Sequence, residues 1–227
     1  MCREVSEMKS GCKGIAVTGI AIIILFASLF RVGCMSVSLP EGEEKGRGQE
    51  STEPAELQST LQQNIAYLRE NAEILASMIH RLVNEERAKV RLGPLTWDRE
   101  LASIALSHSV DMAQRNYFDH YSPEGKDFAD RYKEHGYKDK TVVGDQVYVG
   151  GENLFLNNVV DSYVYDQESG EILEYRFNSL EELARSTVDG WMESPGHREN
   201  IMAPFTREGI GIEVSDEGKV YITENFS

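Results

Sequence analysis

The chain reads as an α+β protein, a three-layer α-β-α sandwich built on a central, mostly antiparallel sheet. Three observations lead there. Apolar residues recur at helical spacing through residues 61–83, 101–112 and 180–191. Alternating apolar runs at 159–165, 172–177, 210–214 and 220–222 read as strands. Their order along the chain is helices, a set of strands, then helices again with a closing hairpin. A sheet that needs cover on both faces packs such elements in three layers.

The first helical stretch opens at Pro54 and carries Leu61, Ile65 and Leu68, then Leu75, Met78, Ile79, Leu82 and Val83, as one long helix or two in tandem ending near Gly93-Pro94. Asp98 is the N-cap of the next helix, whose apolar face runs Leu101, Ile104, Ala105, His108 and Met112. A loop carries Phe118-Asp119-His120, and a short helix over residues 128–135 stops at Gly136. Gly150-Gly151 turns the chain into an element presenting Glu152. Runs over 159–165 and 172–177 flank a turn and form a hairpin, and Ser179-Leu180-Glu181-Glu182 is a capping box. Asp216-Glu217-Gly218 closes the final hairpin.

Charge and cysteine usage narrow the function. Of the 227 residues, 41% are hydrophobic and 27% charged, as in a soluble globular protein of one domain plus extras. Residues 1–34 hold four basic and two acidic side chains, leaving 19 basic against 36 acidic beyond them, a net of −17. Such a field repels phosphate backbones, so nucleic acid is excluded as a partner. Cys2, Cys12 and Cys34 are the only cysteines, so nothing after residue 34 can form a disulfide, a thiolate metal site or a cysteine nucleophile.

Residues 15–30 form an uncharged, mostly apolar run preceded by Arg3, Lys9 and Lys13. With Gly14 included and Arg31 snorkelling, the run approaches spanning length, and the basic flank keeps the amino terminus in the cytoplasm. The expectation is a single-pass anchor in the cell membrane with the carboxy-terminal domain outside. A cleaved signal, and hence secretion, is the alternative, as is a lipid at Cys34, where Arg31 departs from the lipoprotein pattern. The divisions are residues 1–34 as stub and anchor, 35–53 as a polar tether, 54–73 as a helical lead-in and 74–227 as the domain.

The chemistry concentrates in Trp191-Met192-Glu193-Ser194-Pro195-Gly196-His197-Arg198-Glu199-Asn200-Ile201. Pro195 disfavours helix at Ser194, so one helix stops near Glu193 and another starts toward His197, with Gly196 letting the chain double back. Glu193 and His197 then face one cleft from two helices.

Leu82-Val83-Asn84-Glu85-Glu86-Arg87, Pro94-Leu95-Thr96-Trp97-Asp98, Phe118-Asp119-His120, Gly151-Glu152-Asn153, the 191–201 stretch and Tyr221-Ile222-Thr223-Glu224-Asn225-Phe226 resemble, in this order, the motifs of a CAP domain. That superfamily joins cysteine-rich secretory, antigen 5 and pathogenesis-related proteins, and the resemblance is to prokaryotic members without disulfides. It implies the α-β-α sandwich of the CAP fold, with a cleft lined by His120, Glu152, Glu193 and His197. The hairpin over 159–177 is longer than the link expected there.

Two imidazoles and two carboxylates allow three uses. His120 and His197 can hold a divalent cation such as Zn²⁺, with the glutamates orienting the rings or activating water. The four can pair among themselves, or they can exchange protons with a substrate. No H-E-x-x-H or G-x-S-x-G motif occurs, and no residue is assigned as catalytic. The expected function is therefore a membrane-tethered extracellular CAP domain binding a small-molecule or surface ligand or a divalent cation. A metal-dependent hydrolase of surface polymers or peptides and a non-catalytic interaction module are the alternatives. Blander roles go to the rest. His108 is a core or semi-buried histidine, and His80 and His135 lie on the surface. Asn84 and Arg87 tie a helix to a loop. Trp97, Tyr117, Phe118 and Trp191 are core, and Arg198 pairs with Glu199 or Glu193.

Overall fold

The computed structural model describes residues 55–227. The expected anchor and tether lie outside the described residues, among which no helix is long and apolar enough to cross a membrane. The first helical stretch is two helices, α1 (Ala55–Glu70) and α2 (Ala72–Lys89), broken at Asn71. α2 ends four residues before Gly93, because Arg91 turns the chain with φ 64°. After β1 (Thr96–Trp97), α3 (Arg99–Arg115) starts where the Asp98 carboxylate accepts from the N–H groups of Glu100 and Leu101. α4 (Phe128–His135) opens on a capping box at Asp127 and stops at Gly136, whose φ is 77°.

Two short strands, β2 (Thr141–Val143) and β3 (Gln146–Tyr148), form a hairpin the sequence did not signal. They precede β4 (Gly151–Asn158), and the expected hairpin follows as β5 (Val160–Tyr165) and β6 (Ile172–Phe177). This second hairpin is a separate two-stranded ribbon and does not join the central sheet. α5 (Leu180–Glu193) ends before Pro195, and α6 (Pro195–Met202) begins with that proline in its first turn. The break is made at Ser194, held extended at φ −83° and ψ 119°. Gly196 sits inside α6 and supplies no turn, contrary to expectation. β7 (Arg207–Val214) and β8 (Lys219–Phe226) close the chain.

The central sheet runs β1-β7-β8-β4, with β1 parallel to β7 and the other pairs antiparallel. Register sorts its two faces. Ile210, Ile212 and Val214 on β7 and Val220, Ile222 and Phe226 on β8 share one core with Leu75, Ile79 and Val83 of α2 and Leu183, Val188 and Trp191 of α5. The opposite face of β7 offers Gly209 and Gly211 to α3. A Cβ on Gly211 would lie 1.9 Å from the Leu106 backbone nitrogen, and one on Gly209 would lie 2.1 Å from that of Ala102. α3 therefore rests directly on the strand's backbone. Trp191 is fully buried and donates its ring N–H to the Leu154 carbonyl at 3.0 Å, tying α5 to β4.

Two substitutions test this packing by urea denaturation. Trp191→Ala is expected to cost about 3–5 kcal/mol. Gly211→Ala should cost more than about 3 kcal/mol although it adds only a methyl group, because the atom it meets is helix backbone that no rotamer change can move. A loss below about 1 kcal/mol, the scale of a surface change, would contradict either assignment.

Candidate functional site

Three of the four residues singled out in the sequence, His120, Glu152 and His197, gather around β4, an edge strand of the central sheet. Pairing of Glu152 with Asn225 and of Asn153 with Glu224 alternates their side chains across the sheet. Glu152 turns toward the α3 layer and is buried. Its Oε1 lies 2.9 Å from His120 Nδ1, and its Oε2 accepts from Arg131 Nη2 at 2.5 Å. Both oxygens of the carboxylate are thus engaged.

His120 reaches Glu152 because its loop is pinned twice. His108, buried on α3, donates from Nε2 to the Asp119 carbonyl at 3.0 Å. That bond places the His108 proton on Nε2, and burial holds its pKa below the ordinary imidazole value. Arg131 of α4 donates to the His120 carbonyl at 3.2 and 3.3 Å and to that of Lys126 at 3.1 Å. One buried guanidinium so fixes both the backbone of His120 and the carboxylate beside its ring.

His197 approaches from α6. Its carbonyl accepts from Asn153 Nδ2 at 3.2 Å. Asn200, one turn on, donates to the Glu152 carbonyl at 3.0 Å and to Asn153 Oδ1 at 2.9 Å. The His120 and His197 rings stand 6.4 Å apart, centroid to centroid, with planes at 47°. Burial, and then the charge of His120, lower the pKa of His197. Glu193 is exposed and makes no hydrogen bond or ion pair among the described residues. Two histidines and one glutamate are therefore brought together, and Glu193 makes no polar contact with them.

A donor set for a cation is partly present. His120 gives Nδ1 to Glu152, which leaves Nε2 without a partner among the described residues, the orientation that a carboxylate–histidine pair gives a metal ligand. No group of three or more His, Cys, Asp or Glu among the described residues is arranged to hold a metal. Among the described residues, two ring nitrogens are available there and no third ligand.

The other expected roles divide. Asn84 exchanges hydrogen bonds with the Leu95 backbone, and Arg87 reaches the carbonyls of Gly93, Ile201, Ala203 and Phe205, well beyond one loop. His135 is exposed. Phe118 is also exposed rather than core, and Arg198 donates to the Met192 carbonyl instead of a glutamate. His80 is not a surface residue. It is half-buried against Trp97, and its Nδ1 contacts Glu208.

Glu208 is one of two carboxyl groups that sequence reasoning passed over. Glu208 and Glu224 are fully buried diagonal neighbours on β7 and β8. Around them stand His80, Asn84 and Arg87 of α2 and Asn153 of β4, which gives Glu224 Oε2 a hydrogen bond at 2.9 Å. Arg87 spends its donors on backbone carbonyls. Glu208 Oε2 and Glu224 Oε1 have no partner, as fits two carboxyl groups sharing a proton. Burial pushes Glu208 up to about 7. Burial, then the Glu208 charge, pushes Glu224 well above the ordinary range. The folded state so keeps a proton that the unfolded chain, with carboxylates near the usual 4.3, has released. Stability from this pair is complete in acid and declines as pH rises through about 7. His80, whose pKa burial lowers, works the opposite way below about 6.5. The decline therefore runs from about pH 4.3, the unfolded value, to about 7, with His80 opposing it below about 6.5. Relative to Glu224→Gln, which keeps the Asn153 contact without the proton, wild type should lose up to about 1.4 kcal/mol of stability per pH unit there. Denaturant melts across that window check it, and equal slopes would show that the pair is not protonated.

The chain is similar to several known proteins. An uncharacterized membrane protein of Bacillus subtilis, YlbC, is 28% identical over 146 residues, 64% of this chain and 32% of its own length. A second uncharacterized B. subtilis protein, YkwD, is 33% identical over 131 residues, 57% of this chain and 39% of its own. The chain thus spans about a third of the length of one relative and about two fifths of the other. Among solved structures, an extracellular SCP-domain protein of Bacillus anthracis aligns with a TM-score of 0.45 and 29% identity, over 68% of this chain and 40% of that one. An outer surface protein of Borrelia burgdorferi aligns with a TM-score of 0.49 and 16% identity, over 70% and 92%. The profile of the cysteine-rich secretory protein family, CAP, matches residues 80–226, a span that contains every motif singled out above. With that match over most of its length, the chain belongs to the CAP family.

Proposed function

We propose that the protein is a CAP domain held at the outer face of the cell membrane, which binds a ligand or a divalent cation in the cleft between His120 and His197. The observation that carries this reading is the Glu152–His120 pair, locked by Arg131, which leaves His120 Nε2 available 6.4 Å, ring to ring, from His197. Glu152 spends both oxygens in that lock, so it orients a ligand-binding ring and is not free to take a proton from water. This favours binding over hydrolysis. A soft-to-borderline cation such as Zn²⁺ fits imidazole nitrogens, with water or a ligand's own oxygen completing the shell. Glu193, four residues before His197 in the chain, would add negative charge to this side of the domain. A relative named as a membrane protein and the apolar run at residues 15–30 support placement at the membrane.

Titration calorimetry with Zn²⁺ tests the cleft. His120→Ala or His197→Ala should abolish saturable binding, Glu152→Gln should weaken it about 10–100-fold, and Glu193→Gln should weaken it less. Protons compete for the ring nitrogens, so affinity falls with pH, and the loss due to His197 comes below about pH 6.5. No saturable heat, or heat unchanged in both alanine variants, would overturn the reading. Turnover of a peptide or wall polymer that Glu152→Gln eliminates without loss of metal would move the protein to the hydrolases.

Anchoring has its own measurement. The full chain should sediment with membranes and resist alkaline carbonate, and protease added to intact cells should release a fragment starting between residues 35 and 53. Recovery from the medium of a protein starting beyond residue 30 would instead mark the apolar run as a cleaved signal.

A further inference from the structure

The cleft lies at the β4 edge of the central sheet, and the opposite edge holds a second feature. β7 is fully paired with β8 on its inner side. Arg207 and Ser227 exchange both backbone hydrogen bonds at 3.0 Å, and Ser215 N–H reaches the Lys219 carbonyl at 2.9 Å, in phase with them. That phase directs Gly209, Gly211 and Glu213 toward β8 and turns the N–H and C=O of Ile210 and Ile212 outward.

The outward edge is occupied at its two ends. The Glu208 carbonyl accepts from Asp98 N–H at 2.7 Å, where β1 runs as a parallel neighbour. The Val214 carbonyl accepts from the Arg69 guanidinium at 2.7 and 2.9 Å. Between these plugs, the N–H and C=O groups of Ile210 and Ile212 have no protein partner among the described residues, although the two residues are only 3% and 5% exposed. Backbone groups at such a strand edge are met by water or by another backbone. They form the floor of a groove of about 660 Å³ that opens between α2 and α3. Ala72, Ala76 and Ser77 line one wall, Ala102 and Ser103 the other, and Trp97 closes the β1 end. The longer side chains of Glu73, Arg99 and Leu106 complete the lining.

We propose that this groove takes a short extended peptide segment from another protein, which adds a strand to β7 in line with β1. Four unpaired backbone groups at strand spacing recognise another backbone and offer nothing specific to an acyl chain or a sugar. β1 already shows that this edge accepts a parallel strand. The side chains of the added strand would alternate toward the α2 and α3 walls, whose alanines and serines admit small or flat apolar residues.

The probe is a display library of random heptapeptides, selected against the full chain in detergent micelles. Ser77 and Ser103 are exposed at the rim, so Ser77→Arg and Ser103→Arg fill the groove without entering the core. Thermal melts of both variants equal to wild type establish that they fold. Recovered peptides should lose at least tenfold in affinity to either variant, and at least tenfold when alternate backbone nitrogens are methylated. The Ile210 and Ile212 amides should exchange rapidly in the free protein and slow at least tenfold with peptide bound. The proposal is overturned if selection yields no peptide sensitive to both rim variants, if methylated peptides bind as well as their parents, or if those two amides are already protected without peptide. Displacement of the peptides by a fatty acid, with the amides left unprotected, would reassign the groove to an apolar ligand.

Discussion

Contact between α3 and β7 without intervening side chains is the constraint on which the rest depends. Gly209 and Gly211 let the helix settle against strand backbone, and the strand can then send its larger residues only to the other face. This fixes how high α3 stands over the sheet. From that height His108 reaches the Asp119 carbonyl, and through it sets the loop that delivers His120 to Glu152. The same close approach leaves α2 to cover the opposite face alone near the β7 edge. The groove over Ile210 and Ile212 is the space between the two helices.

Three buried glutamates show how one sheet handles charge in two ways. Glu152 meets a guanidinium and an imidazole, so its carboxylate has partners on both oxygens, and removing either partner would leave one oxygen of a buried carboxylate unpaired. Glu208 and Glu224 meet mainly one another and keep a proton instead. The two arrangements communicate. Asn153 holds Glu224 with the same amide that holds the His197 carbonyl, and Asn200 grips both Asn153 and the Glu152 backbone. The β4 asparagine is thus the hinge between the acid pair and the histidine cleft.

Much of this was readable in local sequence. Caps at Asp98, Ser179 and Gly136, and the stop before Pro195, fall where side-chain chemistry and proline sterics place them. The break at Ser194 was foreseen, but not that one extended residue would suffice without help from Gly196. The acid pair was legible too and went unread. Glu208 shares parity with Ile210, Ile212 and Val214, and Glu224 with Val220, Ile222 and Phe226, so strand alternation alone puts both inside. Arg131 was not legible. It lies between Asp130 and Tyr132 on a short polar helix, and only the tertiary approach of α4 to β4 turns it into the partner of Glu152. The β2–β3 hairpin gave no signal because Val142, Val143 and Val147 face solvent, and no buried phase distinguishes them from loop.

Arg87 deserves a last consequence. Buried at 2% exposure, its guanidinium collects the carbonyls of Gly93, Ile201, Ala203 and Phe205, fastening the turn after α2 to the segment joining α6 and β7. Small extracellular domains commonly staple such distant loops with cystine. Here the staple is a cation that is charged at every physiological pH and needs no electron acceptor to form. Maturation of the domain is therefore independent of thiol oxidation, and it can complete its fold equally in a reducing compartment or beyond one, with no oxidase or isomerase in attendance.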